Sequence, residues 1–106
     1  MGLAQKQSGQ ERDELTPLVV NEVNELMKTV PQWTLHDRSI VREISFDGFR
    51  QAIDFVNRVA RAAEEKDHHP DIFISYNKVR LDLWTHKAGG LTRNDFELAA
   101  QVDQLI

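Results

Sequence analysis

Apolar residues first fall into a helical rhythm. Val19, Val20, Val23, Leu26, Met27 and Val30 recur at three- and four-residue steps, which gathers them on one face of a helix. Thr16 followed by Pro17 reads as a cap with proline in the first turn, so a helix is predicted over residues 17–28, closed off by Pro31. The rhythm then shortens to two. Residues 33–36 and 40–46 read as strands around Asp37-Arg38, with Ile40, Ile44 and Phe46 sharing a face, and together they predict a hairpin. Helical spacing returns in Phe49, Ala52, Ile53, Val56, Val59, Ala60 and Ala63, predicting a helix over 48–66 with Asp47 as its cap.

Beyond Pro70, residues 72–76 and 79–86 predict two more strands around an Asn77-Lys78 turn. Alternation puts Val79, Leu81, Leu83 and Thr85 on one face and Arg80, Asp82, Trp84 and His86 on the other, so His86 emerges away from the aliphatic side. Gly89-Gly90 breaks the pattern. Thr92 with Asp95 three residues on resembles a capping box, Asp standing for the usual Glu or Gln, and opens a helix over 93–105. Two apolar stripes run along that helix, one of Phe96, Ala99 and Ala100, the other of Leu98, Val102, Leu105 and Ile106. Together they are wider than one small core needs, which predicts self-association through the surplus. The order α-β-β-α-β-β-α predicts an α+β domain, an antiparallel sheet with its three helices on one face. Residues 1–13 carry no apolar period and read as a loose N-terminal arm ahead of a single domain over 14–106.

Composition narrows the function. The 106 residues suffice for one domain, and 41% hydrophobic against 28% charged residues is globular rather than disordered composition. A net charge of −4 argues against direct binding of a nucleic-acid backbone. With no cysteine there is no disulfide, no thiolate nucleophile and no cysteine-type zinc site, so His, Asp and Glu must carry any chemistry. No apolar run reaches the ~18–20 residues of a membrane span, and the first residues lack a secretory h-region. The expectation is a soluble, cytoplasmic protein, with the nucleus open as a second compartment.

Three of the four histidines stand out: His68 and His69, in a run with Glu64, Glu65 and Asp67 just before Pro70, and His86 at a strand end. Proline rigidifies that helix-to-strand junction, so two imidazoles can be held toward a site that His86 also approaches. Three readings stay open on the residues alone. The histidines are polar loop and strand-end residues with Asp95 supporting its helix; or they hold a metal with neighbouring carboxylates, against which stands the absence of a His-x-x-x-His pair; or they perform metal-free acid–base catalysis, for which imidazole titrates in the useful range.

The run Glu64-x-x-x-His68-His69-Pro70, followed by Tyr76-Asn77-Lys78-Val79, Thr85-His86 and Gly90-Leu91-Thr92-x-x-Asp95, closely resembles the pterin-4a-carbinolamine dehydratase family. A weaker pattern through Trp33, Asp37-Arg38, residues 46–55 and Arg58-Val59-Ala60 extends the resemblance over nearly all the chain except the arm. The resemblance implies a four-stranded antiparallel sheet with helices on one side and a homodimer or homotetramer. It also implies dehydration of 4a-hydroxytetrahydrobiopterin to quinonoid dihydrobiopterin in tetrahydrobiopterin recycling, without metal or organic cofactor. Carried over residue by residue, His68, His69 and His86 are the active-site histidines, with Asp95 and Glu64 as their acidic partners. Asp67, His68, His69, Trp84, Thr85, His86 and Lys87 are expected to contact the pterin, and Trp33 to lie near its ring. Trp84 stands where the family often has a smaller residue, and Gly89-Gly90 alters the neighbouring loop, so pocket width is the point of departure. A second function class comes with the family: some animal members bind a homeodomain transcription factor and stabilise its dimer through helices, which turns attention to Leu98 and Val102.

Overall fold

The computed structural model describes residues 16–106; the expected arm lies outside the described residues. Its elements run α1 (Val20–Met27), β1 (Thr34–His36), β2 (Ser39–Ser45), α2 (Phe49–Lys66), β3 (Asp71–Ser75), β4 (Lys78–Leu83) and α3 (Arg93–Asp103). The four strands form one antiparallel sheet in the order β1-β2-β4-β3. Its central ladder sets Ile40 opposite Leu83 and Ile44 opposite Val79, with Arg42 opposite Leu81 between them, so one face of the sheet is aliphatic apart from that arginine. Onto that face pack Val23 of α1, Ala52, Phe55 and Val59 of α2, and Phe96, Leu98, Ala99 and Val102 of α3, in a single core. The α+β architecture with three helices on one face thus follows from the two periods in the sequence.

Several boundaries differ from the pattern, each for a local reason. The first helix begins at Val20 rather than Pro17, because the Leu18 N–H donates to the Leu91 carbonyl at 2.8 Å and holds the preceding residues extended across the loop before α3. Val19 becomes the N-cap, its N–H satisfied by Glu22 Oε1 at 3.0 Å. Gly48, not Asp47, caps α2. The buried face of α2 is Ala52, Phe55, Val59, Ala62 and Ala63, while Ala60 is exposed, so the stripe is rotated from the predicted one toward Phe55 and Ala62; Phe49, at the first residue of the helix, is exposed as well.

The hairpin between β3 and β4 turns at Tyr76-Asn77, one residue earlier than predicted, with Tyr76 at φ 55° and Ser75 paired to Lys78. Asn77 serves elsewhere: its side-chain amide donates to the Phe46 carbonyl and its own carbonyl accepts the Phe46 N–H, both at 2.8 Å. This laces the hairpin to the end of β2. Strand β4 stops at Leu83 instead of reaching His86, and Thr85 then pairs with Gly90 in an isolated bridge that closes a short loop. Gly89 sits in that loop at φ 72°, a conformation that favours glycine.

Two residues of the surplus stripe in the last helix have a different fate from the expected one. Leu98 and Val102 are fully buried inside this chain, in the core that α3 shares with α2 and the sheet, whereas Leu105 is half-buried and Ile106 exposed. Leu98 and Val102 are core residues and offer no surface for self-association. The helix also ends at Asp103, two residues short of the prediction.

Candidate active site

Helix α2 ends in a way that aims the histidine pair. Asp67 adopts the left-handed conformation (φ 52°, ψ 43°), its N–H donates to the Glu64 carbonyl, and the His68 N–H returns to the Ala63 carbonyl at 3.0 Å. This is the Schellman arrangement, which reverses the chain and satisfies the last helical carbonyls. Pro70 then keeps His69 extended, so the two rings leave the helix end toward different carboxylates. His68 Nε2 meets Asp95 Oδ1 at 2.5 Å, and His69 Nε2 meets Glu64 Oε2 at 2.6 Å.

The two pairs differ in setting. Asp95 is fully buried and His68 nearly so, whereas His69 and Glu64 are both largely exposed. Asp95 sits in the first turn of α3, where its Oδ2 accepts the Thr92 N–H at 2.9 Å and the Thr85 hydroxyl at 2.8 Å. A threonine hydroxyl has one proton, so Thr85, donating to Asp95, accepts from the Thr92 hydroxyl 2.8 Å away. One carboxylate therefore caps α3, ties it to the loop after β4 and orients His68. Because an ionised carboxylate only accepts, His68 carries its proton on Nε2, and Nδ1 is the nitrogen left for a ligand.

His86 comes from the loop after β4, beside Trp84, with ring centroids 4.0 Å apart and 44° between the planes. Its ring makes no hydrogen bond to a described residue. A cavity of about 470 Å³ opens among these elements. Asp67, His68 and His69 line it from the end of α2, and Trp84, Thr85, His86 and Lys87 from the β4 loop. Glu64 and Asp95 stand behind, each bonded to a lining histidine.

Trp33 is not brought to this cavity. Its indole is buried in the core and donates to Asp103 Oδ1 at 2.9 Å, an oxygen shared with Arg42 at 2.6 Å. Two lining residues escaped the sequence reading, Lys66 and Asn94. Each adjoins a residue that was read, Asp67 and Asp95, but polar residues at helix ends carry no signal of their own. No group of three or more His, Asp or Glu among the described residues is placed to hold a metal ion.

The model of the pterin 4 alpha carbinolamine dehydratase family matches residues 16–105. The chain belongs to that family. A relative from Picosynechococcus sp. named as a pterin-4-alpha-carbinolamine dehydratase is 50% identical over 90 residues, which cover 85% of this chain and 98% of that one. One of the same name from Acidobacterium capsulatum is 47% identical over 93 residues, covering 88% and 98%. Among solved structures, the transcriptional coactivator/pterin dehydratase from Brucella melitensis superposes with a TM-score of 0.81 at 33% identity, covering 85% of this chain and 98% of that chain. The family match spans every element that lines the cavity. Among the described residues, no helix is long and apolar enough to cross a membrane.

Proposed function

We propose that this protein dehydrates 4a-hydroxytetrahydrobiopterin to quinonoid dihydrobiopterin and water, as a cytoplasmic step in recycling tetrahydrobiopterin. The observation that carries the reading is the meeting of three histidines at one cavity, two of them backed by carboxylates. At about 470 Å³ the cavity suits a bicyclic substrate, within the ~300–1,000 Å³ of small-molecule sites.

The chemistry needs little beyond proton transfer. Hydroxide leaves C4a poorly, so an acid protonates the departing oxygen, the C4a–O bond breaks and water departs. The N5 electron pair forms the new C4a=N5 bond, and the N5 proton passes to a base. Imidazoles perform both transfers, worth ~10²–10⁴-fold, with positioning adding to it. His68 and His86 move the protons in this scheme. His69, held by Glu64 at the rim, binds the pterin together with Asp67, Trp84, Thr85 and Lys87. Asp95 positions His68 by fixing its tautomer.

Self-association belongs to the same proposal. With Leu98 and Val102 buried, its support moves to the edge strand β3, where Phe73 and Ile74, with Tyr76 just beyond, are exposed beside unpaired backbone groups. Binding of a protein partner through the helical side is the second reading, favoured by the exposed Val19 and Val20 at the start of α1 and Phe49 on α2.

The test is absorbance-monitored dehydration of freshly generated 4a-hydroxytetrahydropterin, with wild type beside a His68→Ala, His86→Ala variant of unchanged circular dichroism. Acceleration that the variant loses supports the proposal. A wild type no faster than the spontaneous reaction overturns it.

A further inference from the structure

His86 is the one histidine of the site without a carboxylate: His68 and His69 have Asp95 and Glu64 at 2.5 and 2.6 Å. The ring that meets His86 is the Trp84 indole, 4.0 Å away between centroids. Its backbone stands in the loop closed by the Thr85–Gly90 bridge, where its carbonyl accepts a 3.2 Å bond from Gly89. The direction of the His86 imidazole therefore depends on where the indole stands.

The indole has its own support from across the fold. Arg38, in the turn between β1 and β2, holds its guanidinium 5.1 Å from the centroid of the Trp84 ring, in cation–π range. That turn is short and fixed, with Asp37 at φ 59° and the Ser39 hydroxyl bonded to the His36 carbonyl. Arg38 lines a separate cleft with Leu35, Gly89 and Leu91, so it reaches the indole from outside the histidine cavity. The proposed acid–base scheme makes no use of it.

We propose that Arg38 is a positioning residue for His86, acting through the Trp84 indole. The aromatic stack does for His86 what a carboxylate does for each of the other two histidines. A cation over the half-buried Trp84 indole is expected to shift the conformational population by about 2–5-fold. The kinetic half of the idea rests on the dehydratase reading, while the conformational half does not.

The experiment compares Arg38→Met, which keeps an apolar stem, with Arg38→Lys, which keeps a cation. In proton NMR the His86 ring signals are displaced by the indole ring current. The displacement is expected to shrink in Arg38→Met and to move back toward wild type in Arg38→Lys, with His68 and His69 signals unchanged. In turnover, kcat falls about 2–5-fold in Arg38→Met, and Arg38→Lys recovers much of the loss. Unchanged His86 signals in Arg38→Met overturn the proposal, as does a shifted signal with undiminished kcat. Should wild type show no turnover, the dehydratase reading fails, and the NMR comparison still decides whether Arg38 sets the His86 ring.

Discussion

Replacing Asp95 separates its two duties, because asparagine and alanine remove different parts of what the carboxylate does. In Asp95→Ala the buried Thr92 N–H and one threonine hydroxyl lose their acceptor, since the two hydroxyls can still bond one another. At ~1–3 kcal/mol for each unsatisfied buried group the loss is about 2–6 kcal/mol, against a total stability of ~5–15 kcal/mol for a domain. For a domain of this length each kcal/mol moves the melting temperature by ~4–8 °C, so Asp95→Ala should melt at least ~8 °C lower or fail to fold. In Asp95→Asn the amide oxygen can take the place of Oδ2 and keep both bonds. The cost is then the difference between charged and neutral acceptors, about 1 kcal/mol. The amide NH₂ now faces His68 Nε2 and forces it to accept, so the ring proton moves to Nδ1. Asp95→Asn is accordingly expected to stay folded and to lose turnover by about 10²-fold or more. Urea melts at fixed pH with parallel rate measurements check both halves. Equal stability of the two variants would refute the role of Asp95 as acceptor for Thr92 and Thr85, and full activity of Asp95→Asn would refute its role in setting the His68 tautomer.

Three further outcomes follow from the geometry. Asp67→Gly relieves a left-handed residue costing ~1–2 kcal/mol, less ~0.5–1 kcal/mol of added chain entropy; an unfolding free energy from urea melts higher by up to about 1.5 kcal/mol is expected, with KM raised because Asp67 lines the cavity. Leu98→Asp puts a charge at a fully buried position and should cost about 4 kcal/mol or more, so sizing and near-ultraviolet circular dichroism should report loss of the native fold rather than a folded monomer. Trp33→Phe removes the bond to Asp103 while Arg42 keeps its own; about 1 kcal/mol of stability should go with turnover unchanged, and a raised KM would return Trp33 to the substrate.

How far the sequence discloses this molecule depends on whether a feature is written in one segment or in two. The alternation of Val79, Leu81, Leu83 and Thr85 told correctly which side of β4 meets the core, because side-chain direction in a strand is a local matter. The helix over 93–105 shows the opposite case. Its two stripes were plain, yet period alone does not say how many neighbours a helix has, and α3 packs on both the sheet and α2. Phe49 on α2 is exposed for a different reason: it sits in phase with the buried stripe but lies at the first residue of the helix.

The site divides along the same line. Its histidines were legible as residues beside a helix end, a proline and a strand end. Their partners across the chain were legible only through the resemblance, since His68 and Asp95 are 27 residues apart and share no period. Thr92-x-x-Asp95 is the instructive element. Read locally it is a capping box, and the Thr92 N–H does donate to Asp95. The bond uses one carboxylate oxygen and also brings in Thr85; the other oxygen is the one that meets His68. A capping aspartate and an imidazole-orienting aspartate are thus the same residue, so the start of α3 and the tautomer of His68 are set together. Any substitution that frays the cap must also release the imidazole, whereas Asp95→Asn can release the imidazole and leave the cap in place.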